Sequence, residues 1–306
     1  MLFRYARHTT DLQKIENFYT NIIGLEVLGR FEDHNGYHGI FLGLKTVDWH
    51  LEFTTSATRP KSTFDDDDLL VFYVSTAIEI EIIKRYLDKH QIAIEKPKNP
   101  YCMQHGVMFS DPDGYKIVFA IRHLLFTSND ELTRLVVARG ISNWSELVAT
   151  VQKMPYGRNT NRSDFSLVLK ENKGTCSSKH SFLKKVADVN GFGKVQLMLG
   201  MYQMHEKNTP KIGQTIQNAG LQYIPEAHCY LKMNHLRIDI THEKADFSLL
   251  AHDIMEEQEI EPEQVGIFKI NYHTSFIKRW IQEQSIGMDF DTVWNIRENC
   301  IQMLEL

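Results

Sequence analysis

The sequence predicts an α+β protein of two domains, residues 1–125 and 126–306. Three observations carry that expectation. A chain of 306 residues is long for a single hydrophobic core. Its first part holds the same order of elements twice: strand, helix, then three strands. Its remainder breaks that repeat and gathers helices around a strand hairpin.

In the first module Phe3–His8 alternates as a strand. Asp11 opens a helix to about Ile23, with Leu12, Ile15, Phe18, Tyr19 and Ile22 on its apolar face, and Gly24 stops it. Strands are expected at Leu25–Phe31, Gly39–Leu44 and Trp49–Thr54, with Asn35-Gly36 punctuating the first connection. The acidic run Asp65–Asp68 reads as a solvated loop. The order then recurs as strand Leu69–Ser75, helix Ile78–His90 and strands Ile94–Lys96, Gly106–Ser110 and Tyr115–Ile121. Asp111-Pro112-Asp113-Gly114 forms the turn between the last two.

DLQKIENFYTNIIGLEV after the first strand, HLEF in the fourth and SDPDGYKIVFA at the end resemble the glyoxalase/bleomycin-resistance, or vicinal oxygen chelate, superfamily, over about 120 residues. The resemblance implies that metal-dependent relatives take ligands, mostly His and Glu, from the first and last strands of each module. The matching positions here are Arg4, Glu52, Leu69 (with Asp68 beside it) and Val118, and only Glu52 is a ligand type. One carboxylate beside a guanidinium and two aliphatic groups does not make a transition-metal site. The expectation is a metal-free cup, with no cofactor, that binds a small molecule or packs on the second domain.

In the second domain, Ser128-Asn129-Asp130 caps a helix to about Ala138, and Ser142–Lys153 reads as another. Then comes KGTCSSKHSF at 173–182, in which Gly174 and Thr175 read as a turn and N-cap and Cys176 enters the first helical turn. Phe182, Leu183, Val186 and Ala187 anchor that helix. Unpaired N–H groups and the positive end of the helix dipole favour a thiolate there. Lys194–Tyr202 is an apolar strand, and Glu226–Met233 and Leu236–Thr241 form a hairpin about Asn234-His235. With a two-residue turn, alternation gathers His228, Tyr230, Asp239 and Thr241 on one face toward a cleft. Cys229, Leu231, Met233, Leu236, Ile238 and Ile240 then face the core. Helices are expected at Ile212–Ala219, Ala245–Glu256, Thr274–Glu283 and Met288–Leu304, and a strand near Gly266–Ile270.

The order Cys176, His228, Asp239, in KGTCSSKHSFLKKVADVNGFGKVQLMLGMY and EAHCYLKMNHLRIDIT, resembles the transglutaminase-like cysteine superfamily. The resemblance implies a papain-like α+β domain in which Cys176 is nucleophile, His228 its base and Asp239 the orienter of His228. It implies acyl transfer through a thioester, resolved by water or an amine. The chain departs from that pattern: Cys229 stands where an aromatic follows the histidine, no Trp precedes Asp239, and Ile240 replaces the usual Pro after it. Tyr156 and Arg158, in PYGR upstream of the nucleophile, are candidates to bind substrate beside Tyr230. His180, four residues past Cys176, is a rival base. His228, Cys229, His235, Asp239 and His242 are a loose ligand cluster, but alternation sets Cys229 opposite His228.

The charge balance, 34 Lys and Arg against 39 Asp and Glu, supplies no basic surface for nucleic acid or anionic membrane. No apolar run approaches a membrane span, and MLFRYARHTTD carries no apolar signal segment. The four cysteines, Cys102, Cys176, Cys229 and Cys300, form no CxxC pair, so free thiols and a cytoplasmic setting are expected. The expected partner is a small-molecule or peptide-like substrate, and a homodimer stays open.

Overall fold

A computed structural model describes residues 2–61, 63–234 and 236–304. Contacts divide the chain into Met1–Arg122 and His123–Leu306. Among the described residues, no helix is long and apolar enough to cross a membrane.

The first unit is two modules of one design. Strand β1 (Phe3–His8) leads to helix α1 (Leu12–Asn21), then to β2 (Glu26–His34), β3 (Tyr37–Gly43) and β4 (Trp49–Thr55). Asp11 caps α1 by accepting from the Lys14 N–H, and the helix buries Ile15 and Tyr19. The sheet order is β1-β4-β3-β2, with β1 parallel to β4 and the other pairs antiparallel. The second module runs β5 (Leu69–Val74), α2 (Ala77–Lys89), α3 (Pro100–His105), β6 (Gly106–Ser110) and β7 (Lys116–Ile121), in sheet order β5-β7-β6. The strand expected at Ile94–Lys96 shrinks to one bridge, Glu95 to Met108, placed where β2 stands in the first module. Pro100–His105, which the sequence reading left unassigned, is helical, with Asn99 capping it and Pro100 at its first position.

The Asp111 turn couples the modules. Its carboxylate accepts from the backbone N–H groups of Asp113 and Tyr115, both at 2.9 Å. It also accepts from Arg7 Nη1 at 2.7 Å and the Tyr19 hydroxyl at 3.0 Å. The Arg7 guanidinium lies under the rings of Tyr115, Phe64 and Phe53, with 4.3 Å to the Tyr115 centroid.

The second unit begins with α4 (Glu131–Ala138), α5 (Trp144–Lys153), α6 (Leu167–Lys170) and α7 (Cys176–Val189). Then come β8 (Val195–Met204), α8 (Gly213–Asn218), β9 (Ile224–Met233), β10 (Leu236–Ile238), β11 (Ile254–Glu259), α9 (Ile267–Glu283) and α10 (Phe290–Leu304). The sheet is antiparallel, in order β10-β9-β8-β11. Helix α7 packs on it through buried Phe182, Leu183, Val186 and Ala187.

Three expectations are corrected here. Ala245–Glu256 is not a helix: a 3-10 turn at Phe247–Leu249 leads into β11, an edge strand whose glutamates face outward from a one-sided pairing. Gly266–Ile270 is not a strand; it opens α9. The hairpin pairs Met233 with Leu236, Lys232 with Arg237 and Leu231 with Ile238, the register of a two-residue turn, but the ladder stops at Ile238 and not at Thr241. The Asp239 side chain accepts from the Thr241 N–H and hydroxyl, and the Ile240 N–H goes to His180, so local bonds displace the ladder. His235 lies outside the described residues, and with it the turn's second position.

Candidate active site

Helix α7 starts with a reciprocal cap. Thr175 accepts from the Ser178 N–H, and the Ser178 hydroxyl accepts from the Thr175 N–H at 2.9 Å. Gly174 must lack a side chain: a Cβ there would lie 2.8 Å from Lys179 Cγ and 2.9 Å from Ser178 Oγ. This fixes Cys176 at the first helical position. Strand β10 covers only Leu231–Met233 of β9, and the start of α7 meets the edge of β9 beyond. There the His228 ring and the Cys229 backbone come close enough to the Cys176 thiol to act on its charge.

His228 Nε2 lies 2.8 Å from Asp239 Oδ2, which leaves Nδ1 as the ring nitrogen for the thiol. Asp239 Oδ1 is held by Thr241, at 2.9 Å from its N–H and 2.5 Å from its hydroxyl. Burial alone raises the thiol's pKa, but the Lys269 and His228 charges outweigh it and bring Cys176 down to about 6. Burial also works against an imidazolium, yet the Asp239 and Cys176 charges hold the His228 pKa well above its ordinary value. Asp239 is buried, and the His228 charge and hydrogen bond keep it ionised below the usual carboxylate range. The three groups form a thiolate–imidazolium–carboxylate row with little exposure.

His180 is not placed as a base. Its Nδ1 donates to the Cys176 carbonyl at 2.6 Å, and its Nε2 accepts from the Ile240 N–H at 3.0 Å. Those two roles require one neutral tautomer. Burial, the largest effect, depresses its pKa to about 4. It is a fixed strut between α7 and the segment after β10. Buried Lys179 is another, donating to the Met154 carbonyl at 2.5 Å and the Thr241 carbonyl at 2.8 Å.

The three residues expected to bind substrate do not line a common cleft. Tyr230 is fully buried against Met198 and Phe247, and its hydroxyl donates to Glu257. Both faces of β9 are covered, so alternation does not mark an open side here. Tyr156 forms an isolated parallel bridge with Gly174, two residues before the nucleophile. Arg158 is half exposed and ion-paired with Glu298 at 2.9 Å. Of the loose ligand cluster, His242 is exposed and His235 lies outside the described residues. Among the described residues, no three His, Cys, Asp or Glu side chains are gathered to hold a metal ion.

Sequence reasoning missed the other half of the cluster. Lys269, on the first turn of α9, is buried with Nζ 3.8 Å from Cys176 Sγ and 2.7 Å from Ser177 Oγ. Glu226, two residues before His228, is buried and gripped by Arg297 through two bonds of 2.6 and 2.5 Å. Burial alone raises its pKa, but the Arg297 charge, first among the opposing effects, takes it down to about 2. Arg297 in turn bonds Glu298. From Asp239 through His228, Cys176, Lys269, Glu226, Arg297 and Glu298 to Arg158, charges alternate in sign.

In the first unit, Arg4 Nη1 lies 3.0 Å from Glu52 Oε2. Leu2, Arg4, Leu28, Phe41 and His50 line a pocket of about 410 Å³. Val118 lies in an apolar cluster with Cys102, Met108 and Ala120, and Leu69 packs against it.

Residues 3–54 match the family model described as YycE-like N-terminal domain, and residues 67–120 match the one described as YycE-like C-terminal domain. The uncharacterized protein YycE of Bacillus subtilis (strain 168) is 41% identical over 119 residues, covering 38% of this chain and 84% of the relative. The crystal structure of a YycE protein of unknown function from Bacillus subtilis is 40% identical, covers 39% of this chain and 88% of its own, and has a TM-score of 0.36. The trypanothione-dependent glyoxalase I of Leishmania major is 20% identical, covers 46% and 93%, and has a TM-score of 0.33. The two repeated modules of the first unit thus coincide with the two YycE-like domains, within a mixed α+β chain.

Proposed function

The chain belongs to the YycE-like family through its first unit, and on that premise we propose that a cysteine-dependent acyl-transfer activity resides in the second. The domain is read as transglutaminase-like, and the reaction as hydrolysis of an amide or peptide-like bond, or transfer of its acyl group to an amine. Cys176 is the nucleophile, His228 the base and Asp239 the residue that orients it. One observation carries the reading: His228 is held by a carboxylate at 2.8 Å and lies close enough to a thiol at the first position of a capped helix for each charge to act on the other. Backbone N–H groups at that helix start, including that of Cys176, face a developing oxyanion. Iodoacetamide near pH 6 tests it. Cys176 alkylates ahead of Cys102, Cys229 and Cys300, whose pKa values burial raises, and Cys176→Ala abolishes hydrolysis of any acyl substrate while the fold persists. Equal labelling of the four thiols, or activity surviving in Cys176→Ala, ends the reading.

A second reading rests on the pocket in the first unit. An apolar lining of Leu2, Leu28 and Phe41 with Arg4 and His50 at its wall suits a small molecule with an acidic group. On this reading the protein is a binding module and the Cys176 row is a relic. Should Cys176→Ala leave every acyl-transfer assay unchanged, this reading takes precedence.

A further inference from the structure

We propose that Lys269 is a catalytic residue whose ammonium group leaves the Cys176 thiolate and receives the oxyanion of the tetrahedral intermediate. This rests on the acyl-transfer reading and adds a donor that the helix start does not supply. Nζ is 3.8 Å from Sγ, too long for a strong bond to sulfur but close enough to compensate its charge. Among the described residues its short partner is Ser177 Oγ at 2.7 Å, which anchors the head group beside the nucleophile without neutralising it. An acyl oxygen bonded through carbon to Sγ sits two covalent bonds from the sulfur, nearer to it than Nζ is, and to one side of the Sγ–Nζ line it can lie at hydrogen-bond distance from the ammonium. The ammonium is thus within hydrogen-bonding reach of that oxygen once the carbonyl is attacked.

The step balances within the site. The Cys176 proton resides on His228, and the sulfur lone pair forms the S–C bond. The carbonyl π pair moves to oxygen, opposite Lys269. Collapse re-forms the carbonyl and breaks the bond to the leaving group, which takes the proton from His228. Negative charge moves from sulfur to oxygen, and a single buried ammonium serves both positions. Burial works against the ammonium, and the Cys176 charge first, with Cys229 and Glu226 after it, favours its protonated form in the resting site.

Two reagents separate the roles. Iodoacetamide alkylates the thiolate without forming an oxyanion, whereas p-nitrophenyl acetate must pass through one. Both rates are measured at Cys176 by mass spectrometry near pH 9, and their ratio is compared among variants so that any change in thiol ionisation cancels. Lys269→Met lowers acylation on the order of 100-fold more than it lowers alkylation. Lys269→Arg, which keeps the charge and moves the donor, falls between, and it carries the comparison alone if the Met variant does not fold. Equal losses for the two reagents overturn the proposal, since Lys269 then only tunes the thiol. Wild-type protein that alkylates at Cys176 but is never acylated there overturns both this proposal and the acyl-transfer reading. Wild-type acylation with an unchanged ratio in the variants overturns this proposal alone.

Discussion

Asp239→Asn keeps the shape of a buried side chain and deletes its charge. Asparagine retains an oxygen for the Thr241 N–H and hydroxyl and turns an NH2 toward His228 Nε2. A ring nitrogen that faces an NH2 has to accept, so the ring proton moves to Nδ1, on the side of Cys176. The imidazolium loses its anionic partner, and the thiol loses one of the two cations that hold it ionised. Cys176 titrates at about 6 against an ordinary 9.0, a span of three units, or on the order of 4 kcal/mol. Lys269 is the first of the lowering influences and His228 the next, and Lys269 stays in place in this variant, so only part of the depression is lost. The expected midpoint therefore rises by about one unit, on the order of 1 kcal/mol. The assay is the rate of Cys176 carbamidomethylation between about pH 5 and pH 10, followed peptide by peptide. A midpoint that stays near 6 in Asp239→Asn, or one already near 9 in the native protein, refutes the reasoning.

Two further outcomes test the scaffold. Asp111→Ala strands the buried Arg7 guanidinium and costs about 3–5 kcal/mol in urea unfolding monitored by circular dichroism. Glu226 has its folded pKa depressed to about 2 from 4.5, so its contribution is fully present above pH 4.5 and is lost as pH falls toward 2. The stability difference between native protein and Glu226→Gln therefore narrows by on the order of 3 kcal/mol across that window, as read from unfolding midpoints at each pH.

The first unit was legible because each of its signals is local. Asp11 and Gly24 bracket α1, and Asp111-Pro112-Asp113-Gly114 marks the last turn. The hairpin register was legible for a similar reason: one shift would have turned Leu236 and Ile238 off the buried side. What escaped depends on partners distant in sequence. Lys269 lies in the short apolar run GIFKI, whose periodicity fits strand and helix alike, and its bearing on Cys176 is set by a contact across 93 residues. Glu226 sits in a strand buried on both faces, where alternation carries no information, and Arg297 reaches it from α10. The start of β11, residues 254–256, was read as the end of a helix, and its pairing with β8, far off in sequence, makes it strand.

The alternation of charge along the cluster has a consequence for the order of events at Cys176. In the resting protein each ion has an opposite on either side, so the row holds its protons. An acyl group on sulfur deletes one negative member. A His228 that kept its proton would then be a neighbour of like sign to Lys269 in a site that water barely enters, which favours handing that proton to the leaving group. Of the two, the imidazole is the group that gives up its proton, since its ordinary pKa of 6.5 lies far below the 10.5 of the amine. Thioester formation itself would therefore turn His228 from an acid into a base, ready for the water or amine that arrives next. The site would be reset by its own chemistry, with no moving part.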